Sequence, residues 1–181
     1  MFQRSTSNII LALFLIGFAI AFRVIPHPAN FAPVGAIALM GGLLMARQYA
    51  IWLPVAIMAF SDLIIGTHPL ILWTWGSFAL IALLSSTFLR ERNIGAPGIV
   101  AAALSGGLLF FFVTNFGVWL QSGMYAHTWE GLVQCYVNAL PFLRNTLLGD
   151  VFFSTSMYAI YIAVKGTDFK RFLPQQFSQK V

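Results

Sequence analysis

The sequence predicts an all-helical, polytopic membrane protein, a six-helix bundle with both termini in the cytoplasm. The first observation is composition: 59% of the 181 residues are hydrophobic and 8% are charged, whereas a water-soluble domain carries roughly 25% charged residues. The second is the spacing of long apolar runs, and the third is the distribution of Lys and Arg around them. We therefore expect a single membrane domain over residues 1–181, without a separate soluble module.

Six apolar segments approach the roughly 20 residues that a helix needs to cross about 30 Å of hydrocarbon. The first follows Arg4 and is interpreted as an uncleaved helix, with a cleaved signal peptide as the alternative. The second is short and contains Gly41-Gly42. The predicted spans are 7–24, 32–46, 48–66, 69–89, 97–120 and 142–164.

The basic residues orient this bundle. If the N-terminus is cytoplasmic, only Arg23 and Arg144 lie outside, and the other eight of the ten basic residues lie inside. This is the positive-inside distribution of a multi-pass protein of a cytoplasmic (inner) membrane. It accounts for the pI near 9.8 without nucleic acid as a partner. The eight inner residues are Arg4, Arg47, Arg90, Arg92, Lys165, Lys170, Arg171 and Lys180.

The same orientation puts most of the polar side chains that can do chemistry on the outer side. These are all three histidines and three of the acids: His27, His68, His127, Asp62, Glu130 and Asp150. We therefore expect any binding site to open outward.

The longest connection, residues 121–141, predicts an amphipathic outer helix over about 128–140. Its apolar stripe recurs at helical spacing, and Pro141 is expected to end it. Such a helix is either a lid over a cavity or an ordinary interfacial helix, and the pattern does not separate the two. The stripe consists of Trp129, Leu132, Val133, Tyr136, Val137 and Leu140.

Four polar residues lie within or at the ends of the predicted spans: Asn115, Arg144, Asn145 and Asp150. Ionisable groups in a membrane usually face a cavity or pair with one another. Arg144 is expected to meet Asp62 or Glu130. For Asp150 the plain alternative is a structural hydrogen bond to Asn115. The favoured interpretation puts it at the floor of a substrate cavity.

Aromatic residues crowd the outward half, among them Trp73, Trp75 and Trp119. They form either an interfacial belt or a stacking surface for a flat ligand. The single Cys135 excludes an intramolecular disulfide and is more often a small buried hydrophobe. In the alternative, Cys135 or His27 binds the cobalt of a corrinoid.

The first outer loop lies in "RVIPHPANFAPVGA", residues 23–36. Three prolines hold its backbone extended, which predicts an outward-facing rim that presents His27 and Asn30. Arg23 is expected either to join this rim or, as the commoner role of a terminal arginine, to anchor the helix to lipid head groups. Small residues at four-residue spacing, such as Gly17 and Ala21, suit internal helix packing or, alternatively, docking to a partner.

Several motifs occur together over residues 23–150. They are Arg23-x-x-Pro-His-Pro-x-Asn-Phe-x-Pro, Ser61-Asp62, Thr114-Asn115-Phe116-x-Val-Trp119, and Cys135-Tyr136-x-x-Ala-Leu-Pro-Phe-x-x-Asn145-Thr-Leu-x-Gly-Asp150. This combination resembles an uncharacterised family of small bacterial integral membrane proteins. That family is grouped, by general similarity, with the substrate-binding S-components of energy-coupling-factor (ECF) transporters.

The resemblance implies a six-helix S-component-like protein that captures a vitamin from outside and works with a coupling subunit and two ATPases. It implies no enzymatic activity and no cofactor of its own. The substrate-binding candidates are His27, Asn30, Trp73, Trp75, Asn115, Trp119, Arg144, Asn145 and Asp150, and the docking candidates are Gly17 and Ala21.

The expected ligand is a corrinoid, riboflavin, thiamine or a queuosine precursor, with a slight preference for the corrinoid because of Cys135 and the histidines. Two other functions stay open on the sequence alone. One is an intramembrane metal-assisted hydrolase that uses the outer histidines with Glu130 or Asp150. The other is a structural or assembly subunit of a membrane complex.

Overall fold

The computed structural model describes the backbone of residues 6–90, 92 and 94–172, and side-chain burial within these ranges from residue 13 to residue 164. The chain is all-helical over these ranges, as predicted. Its helices are α1 (Thr6–Val24), α2 (Val34–Leu44), α3 (Arg47–Ile65), α4 (Ile71–Phe88), α5 (Gly95–Gln121) and α6 (Trp129–Phe172).

Four helices are long and apolar enough to cross a membrane: α3, α4, α5 and the Trp129–Val164 part of α6. Shorter apolar helices cover Leu13–Val24 and Val34–Leu44. Large apolar side chains lie on the outside of the bundle, including Trp52 and Leu63, which are 68% and 76% exposed. Such a surface suits lipid better than water, because soluble proteins rarely expose large contiguous apolar patches.

The short helix α2 forms the centre of the bundle. Its residues from Val34 to Gly42 are all buried, and it packs against α3, α4, α5 and α6. Because these residues are buried, α2 is surrounded by protein rather than by lipid for most of its length. Its eleven residues rise only about 16 Å. Ser85 of α4 donates a hydrogen bond to the carbonyl oxygen of Leu39 at 2.7 Å and ties α4 to this central helix.

Helix α6 differs from the sequence prediction, because the expected outer helix over 128–140 is not separate. The helix continues from Trp129 through Pro141 to Phe172. A proline inside a membrane helix is tolerated where neighbouring groups satisfy the backbone that it leaves unpaired. The prediction that Pro141 ends a helix was therefore wrong.

The first turns of α6 pack along α5. Small residues face α5, since Gly131, Cys135 and Ala139 are buried, whereas Trp129 and Val137 of the predicted apolar stripe are 73% and 55% exposed. Cys135 donates to the carbonyl oxygen of Asn115 at 3.4 Å. This arrangement, with small residues at the helix contact and large ones outward, is typical of helices packed in lipid.

The helices alternate in direction, so side chains distant in sequence meet at each end of the bundle. At one end, Arg23 from the end of α1 reaches Asp62 near the end of α3. At the other end, Arg47 at the start of α3 donates to Thr87 near the end of α4 at 2.8 Å. We call the first the cavity end, because it holds the candidate site described next.

Candidate binding site

A cavity of about 340 Å³ lies at the cavity end. Side chains from the α1–α2 loop and from all six helices or their connections form its walls. The polar lining residues are Arg23, His27, Asn30, His68, Thr74, Thr146 and Asp150. The apolar lining includes Met58, Ile65, Phe78 and Phe110.

One wall is organised around the carboxylate of Asp62, which is 2% exposed. Arg23 Nη2 donates to Oδ1 at 2.8 Å, and Trp75 Nε1 donates to Oδ2 at 2.8 Å. His68 Nε2 lies 3.7 Å from Oδ2. Both carboxylate oxygens of Asp62 therefore have a hydrogen-bond donor from the protein.

The guanidinium of Arg23 is equally well held. Its Nη1 donates to Ser61 Oγ at 2.5 Å and contacts the sulfur of Met58. The Arg23 side chain is only 16% exposed. The head-group anchor expected as its commoner role is therefore wrong, because Arg23 is bound inside the protein. We call Arg23, Met58, Ser61, Asp62 and Trp75 the Asp62 cluster.

The acid that lines the cavity itself, Asp150, is held very differently. It is 6% exposed, yet its carboxylate has no hydrogen bond or ion pair with any residue in the described part of the chain. Asp150 lines the cavity. Its oxygens face the cavity, since neither is among the described side-chain atoms that are fully enclosed and lack a hydrogen-bond partner. The hydrogen bond to Asn115 that the sequence left open is absent, since Asn115 donates to the carbonyl of Phe111 in its own helix.

Two glycines bring backbones close to this carboxylate. A Cβ at Gly35 would overlap Asp150 Oδ1, and one at Gly107 would lie 3.0 Å from Oδ2. Gly35 lies in the first turn of α2, where the helix dipole favours a negative charge. We call Gly35, Gly107, Thr146 and Asp150 the Asp150 site.

The α1–α2 loop closes one side of the cavity with His27 and Asn30. His27 Nδ1 lies 2.7 Å from the carbonyl oxygen of Ile25, and its ring packs against Phe22 at 5.3 Å between centroids. Asn30 adopts a left-handed backbone with φ of 64°. Asn145 of α6 donates to the carbonyl of Ala29 at 3.1 Å, so it holds the loop without lining the cavity.

The remaining predicted site residues lie outside the cavity lining. Trp73 donates to Gln121 at 3.0 Å and joins α4 to α5, and Trp119 donates to the carbonyl of Ala126 at 2.9 Å. Cys135 is buried between α5 and α6.

Arg144 is exposed, and the expected contact with Asp62 is wrong because Arg23 occupies that position. The contact expected with Glu130 is also absent within the described residues. Trp75 is not a lining residue, and its indole N–H donates to Asp62.

The 128–140 segment does not cover the cavity either. None of its residues is among the lining, and Tyr136 donates to the backbone oxygen of Phe112 at 2.8 Å, which fixes the segment along α5. In this structure the segment therefore lies along α5 rather than over the cavity.

Sequence reasoning missed several lining residues, among them His68, Thr74, Phe78, Phe110 and Thr146. One signal was present: Thr146, Asp150 and Ser154 recur every four residues, which puts them on one helix face. All three are buried. A buried polar stripe on an otherwise apolar helix indicates a face turned toward a cavity or toward polar partners.

The described residues contain no group of three or more His, Cys, Asp or Glu side chains placed to hold a metal ion. The site combines an ion pair beside one wall, a carboxylate without a described partner on another, and apolar and aromatic surface between them.

Comparison with known proteins gives a single family. No curated protein and no solved structure matches the chain. A family model described as "Family of unknown function (DUF6580)" matches residues 3–174. Because this match covers almost the whole sequence, the chain belongs to that family.

Proposed function

We propose that this protein is a substrate-binding membrane subunit for the uptake of a vitamin or a related small molecule, similar in its role to an S-component. The observation that carries the proposal is a cavity between helices that exposes one buried carboxylate, Asp150, without a partner among the described residues. A few placed polar groups in a mainly apolar cavity are typical of small-molecule sites.

The size of the cavity bears on the ligand. Its volume of about 340 Å³ lies near the lower end of the roughly 300–1,000 Å³ found for small-molecule pockets. This favours a compact ligand such as thiamine or a queuosine precursor over riboflavin, and riboflavin over a complete corrinoid. Cys135, which would have served as a cobalt ligand, is not among the lining residues.

The proposal includes an orientation and partners. The cavity end faces the outside of a bacterial cytoplasmic membrane, with both termini inside, as the distribution of Lys and Arg favours. A coupling subunit and ATPases supply the energy. Gly17 and Ala21 are both exposed on α1, and the proposal assigns them to contact with the coupling subunit.

The test is ligand-dependent stability of the full-length protein in detergent. A panel of water-soluble vitamins and queuosine precursors is screened for a rise in the apparent melting temperature. A ligand at 100 times its Kd stabilises the folded state by about 2.7 kcal/mol, which such an assay resolves. If no member of the panel raises the melting temperature, the proposed function is wrong.

A matched pair of variants then locates the ligand. Thr146 lines the cavity and donates to the carbonyl of Phe142, while Thr155 makes the same kind of bond to Val151 outside it. Thr146→Val should weaken ligand binding about fivefold, because the ligand loses roughly one hydrogen bond that the Thr146 hydroxyl accepts. Thr155→Val should not weaken ligand binding. Equal affinities for the two variants would contradict this location.

A further inference from the structure

The charges that face the cavity do not balance. Arg23 contributes one positive charge to the lining, and Asp62, which lies behind the lining and is bonded to Arg23 at 2.8 Å, neutralises it. Asp150 contributes a second negative charge that no described cation offsets. The other titratable groups facing the cavity are His27 and His68. With neutral histidines, and with Arg23 neutralised by Asp62, the carboxylate of Asp150 is the charge of the described lining that is left for a ligand to neutralise.

A positive charge that pairs with Asp150 can approach it from the cavity side. Backbone at Gly35 on α2 and at Gly107 on α5 closes in on the carboxylate. Both positions are buried. The arginine of the lining, Arg23, is bound to Asp62, Ser61 and Met58 on another side of the cavity.

Aromatic surface lies next to this carboxylate. Phe110 is one helical turn from Gly107, so both face the same side of α5. Its ring stacks with that of Phe78 at 4.8 Å between centroids and 26° between planes, and both rings line the cavity. The faces of aromatic rings attract cations and flat conjugated rings.

We propose that the ligand is a small organic cation, either a protonated amine or a cationic heteroaromatic ring. Its positive nitrogen pairs with the carboxylate of Asp150, and its apolar body lies against Phe78 and Phe110. The inference rests on the proposed function and adds the charge of the substrate to it. The same carboxylate repels phosphorylated or carboxylated analogues, and specificity of this kind comes from unfavourable contacts as much as from favourable ones.

The experiment compares matched cationic and neutral compounds on the full-length protein in detergent by isothermal titration. The cations are thiamine, pyridoxamine and aminomethyl-deazaguanine. The matched neutral compounds are pyridoxine and cyano-deazaguanine, with riboflavin as a neutral vitamin. We expect a cation to bind at least about 30-fold more tightly than its neutral match, because a buried charge pair without its partner loses at least this much affinity.

Two variants assign the effect to Asp150. Asp150→Asn should weaken binding of the cation by about 30-fold or more and leave a neutral compound little changed. Glu130→Gln removes the same charge from an exposed position of the same helix and should bind the cation as the wild type does. The wild-type comparison of the matched compounds does not depend on the folding of any variant.

The outcomes separate the two proposals. If a neutral compound binds as tightly as its cationic match or more tightly, or if riboflavin binds as tightly as the tightest of the cations, the cation inference is overturned and the uptake function stands. The inference also fails if a cation binds equally well to wild type and to Asp150→Asn. Binding of no compound at all overturns the proposed function, and the inference with it.

Discussion

The two buried acids at the cavity end, Asp62 behind the lining and Asp150 within it, are buried to a similar degree but are held in opposite ways. Asp62 is 2% exposed and Asp150 is 6% exposed. Arg23 and Trp75 donate to the two oxygens of Asp62, while Asp150 has no protein donor within the described residues. The comparison teaches that burial alone does not assign a role to an acid, whereas the partners of its oxygens do.

The difference has an energetic reason. A buried carboxylate is costly unless it is paired and hydrogen-bonded. The Asp62 cluster meets this cost inside the protein, so it is a structural element that ties α1, α3 and α4 together. At the Asp150 site, the first turn of α2 and access to the cavity offset only part of the cost of burying the carboxylate. When a ligand with the complementary charge binds at such a site, it pairs with the carboxylate and offsets the remaining cost of burying it.

The largest effect is expected from breaking the Asp62 cluster. Asp62→Asn leaves the guanidinium of Arg23 buried without its counter-charge, and removing one partner of a buried ion pair costs about 3–5 kcal/mol. Unfolding of the purified protein by denaturant in detergent micelles measures this loss. The double variant Arg23→Met with Asp62→Leu should recover much of it, because two apolar side chains of similar volume leave no charge unpaired.

An Asp62→Asn variant as stable as the wild type would mean that Arg23 finds another partner, and the Asp62 cluster would then not be a structural element.

A smaller effect is expected from crowding the Asp150 site. Gly35→Ala puts a methyl group where the Asp150 carboxylate now lies, and such overpacking costs about 1–3 kcal/mol. The same unfolding measurement applies. In the double variant Gly35→Ala with Asp150→Ala the clash is gone, so most of the loss should disappear.

The control for this prediction is Gly76→Ala. Gly76 lies in α4, and a Cβ there would meet nothing within 4 Å, so the change should be neutral or stabilising by up to about 1 kcal/mol through helix propensity. Equal losses at Gly35 and Gly76 would show that close approach to Asp150 is not the cause.

The sequence predicted the helices well because their signal is local. Each apolar run needs only its own residues to be recognised, and five of the six helices begin and end within a few residues of the prediction. The sixth failed at Pro141. A proline ends most helices in water, but tertiary contacts can carry a membrane helix past it, and those contacts are not visible in a single chain segment.

Residues of the cavity lining were identified from the sequence only where their residue type is unusual at that position of the chain. Asp150 stood out because an acid within an apolar span is unusual, and His27 and Asn30 because they interrupt a proline-rich loop. Asn115 and Arg144 had the same signal, yet one bonds to its own helix and the other is exposed. Phe78 and Phe110 had no signal, since a phenylalanine facing a cavity looks the same in sequence as one facing lipid.

The smallest and most discriminating effect is expected when Asp150 loses its charge in the absence of ligand. Asp150→Asn removes a buried charge that no described side chain offsets, and a neutral amide costs less to bury than a carboxylate. The free energy of unfolding without ligand should therefore stay the same or rise by about 1 kcal/mol. Glu130→Gln removes an exposed charge from the first turn of α6 and should lower this free energy slightly, because a negative charge is favourable at a helix N-terminus. A loss as large as that of Asp62→Asn would mean that the protein itself supplies a partner to Asp150, and the free carboxylate could no longer be assigned to a ligand.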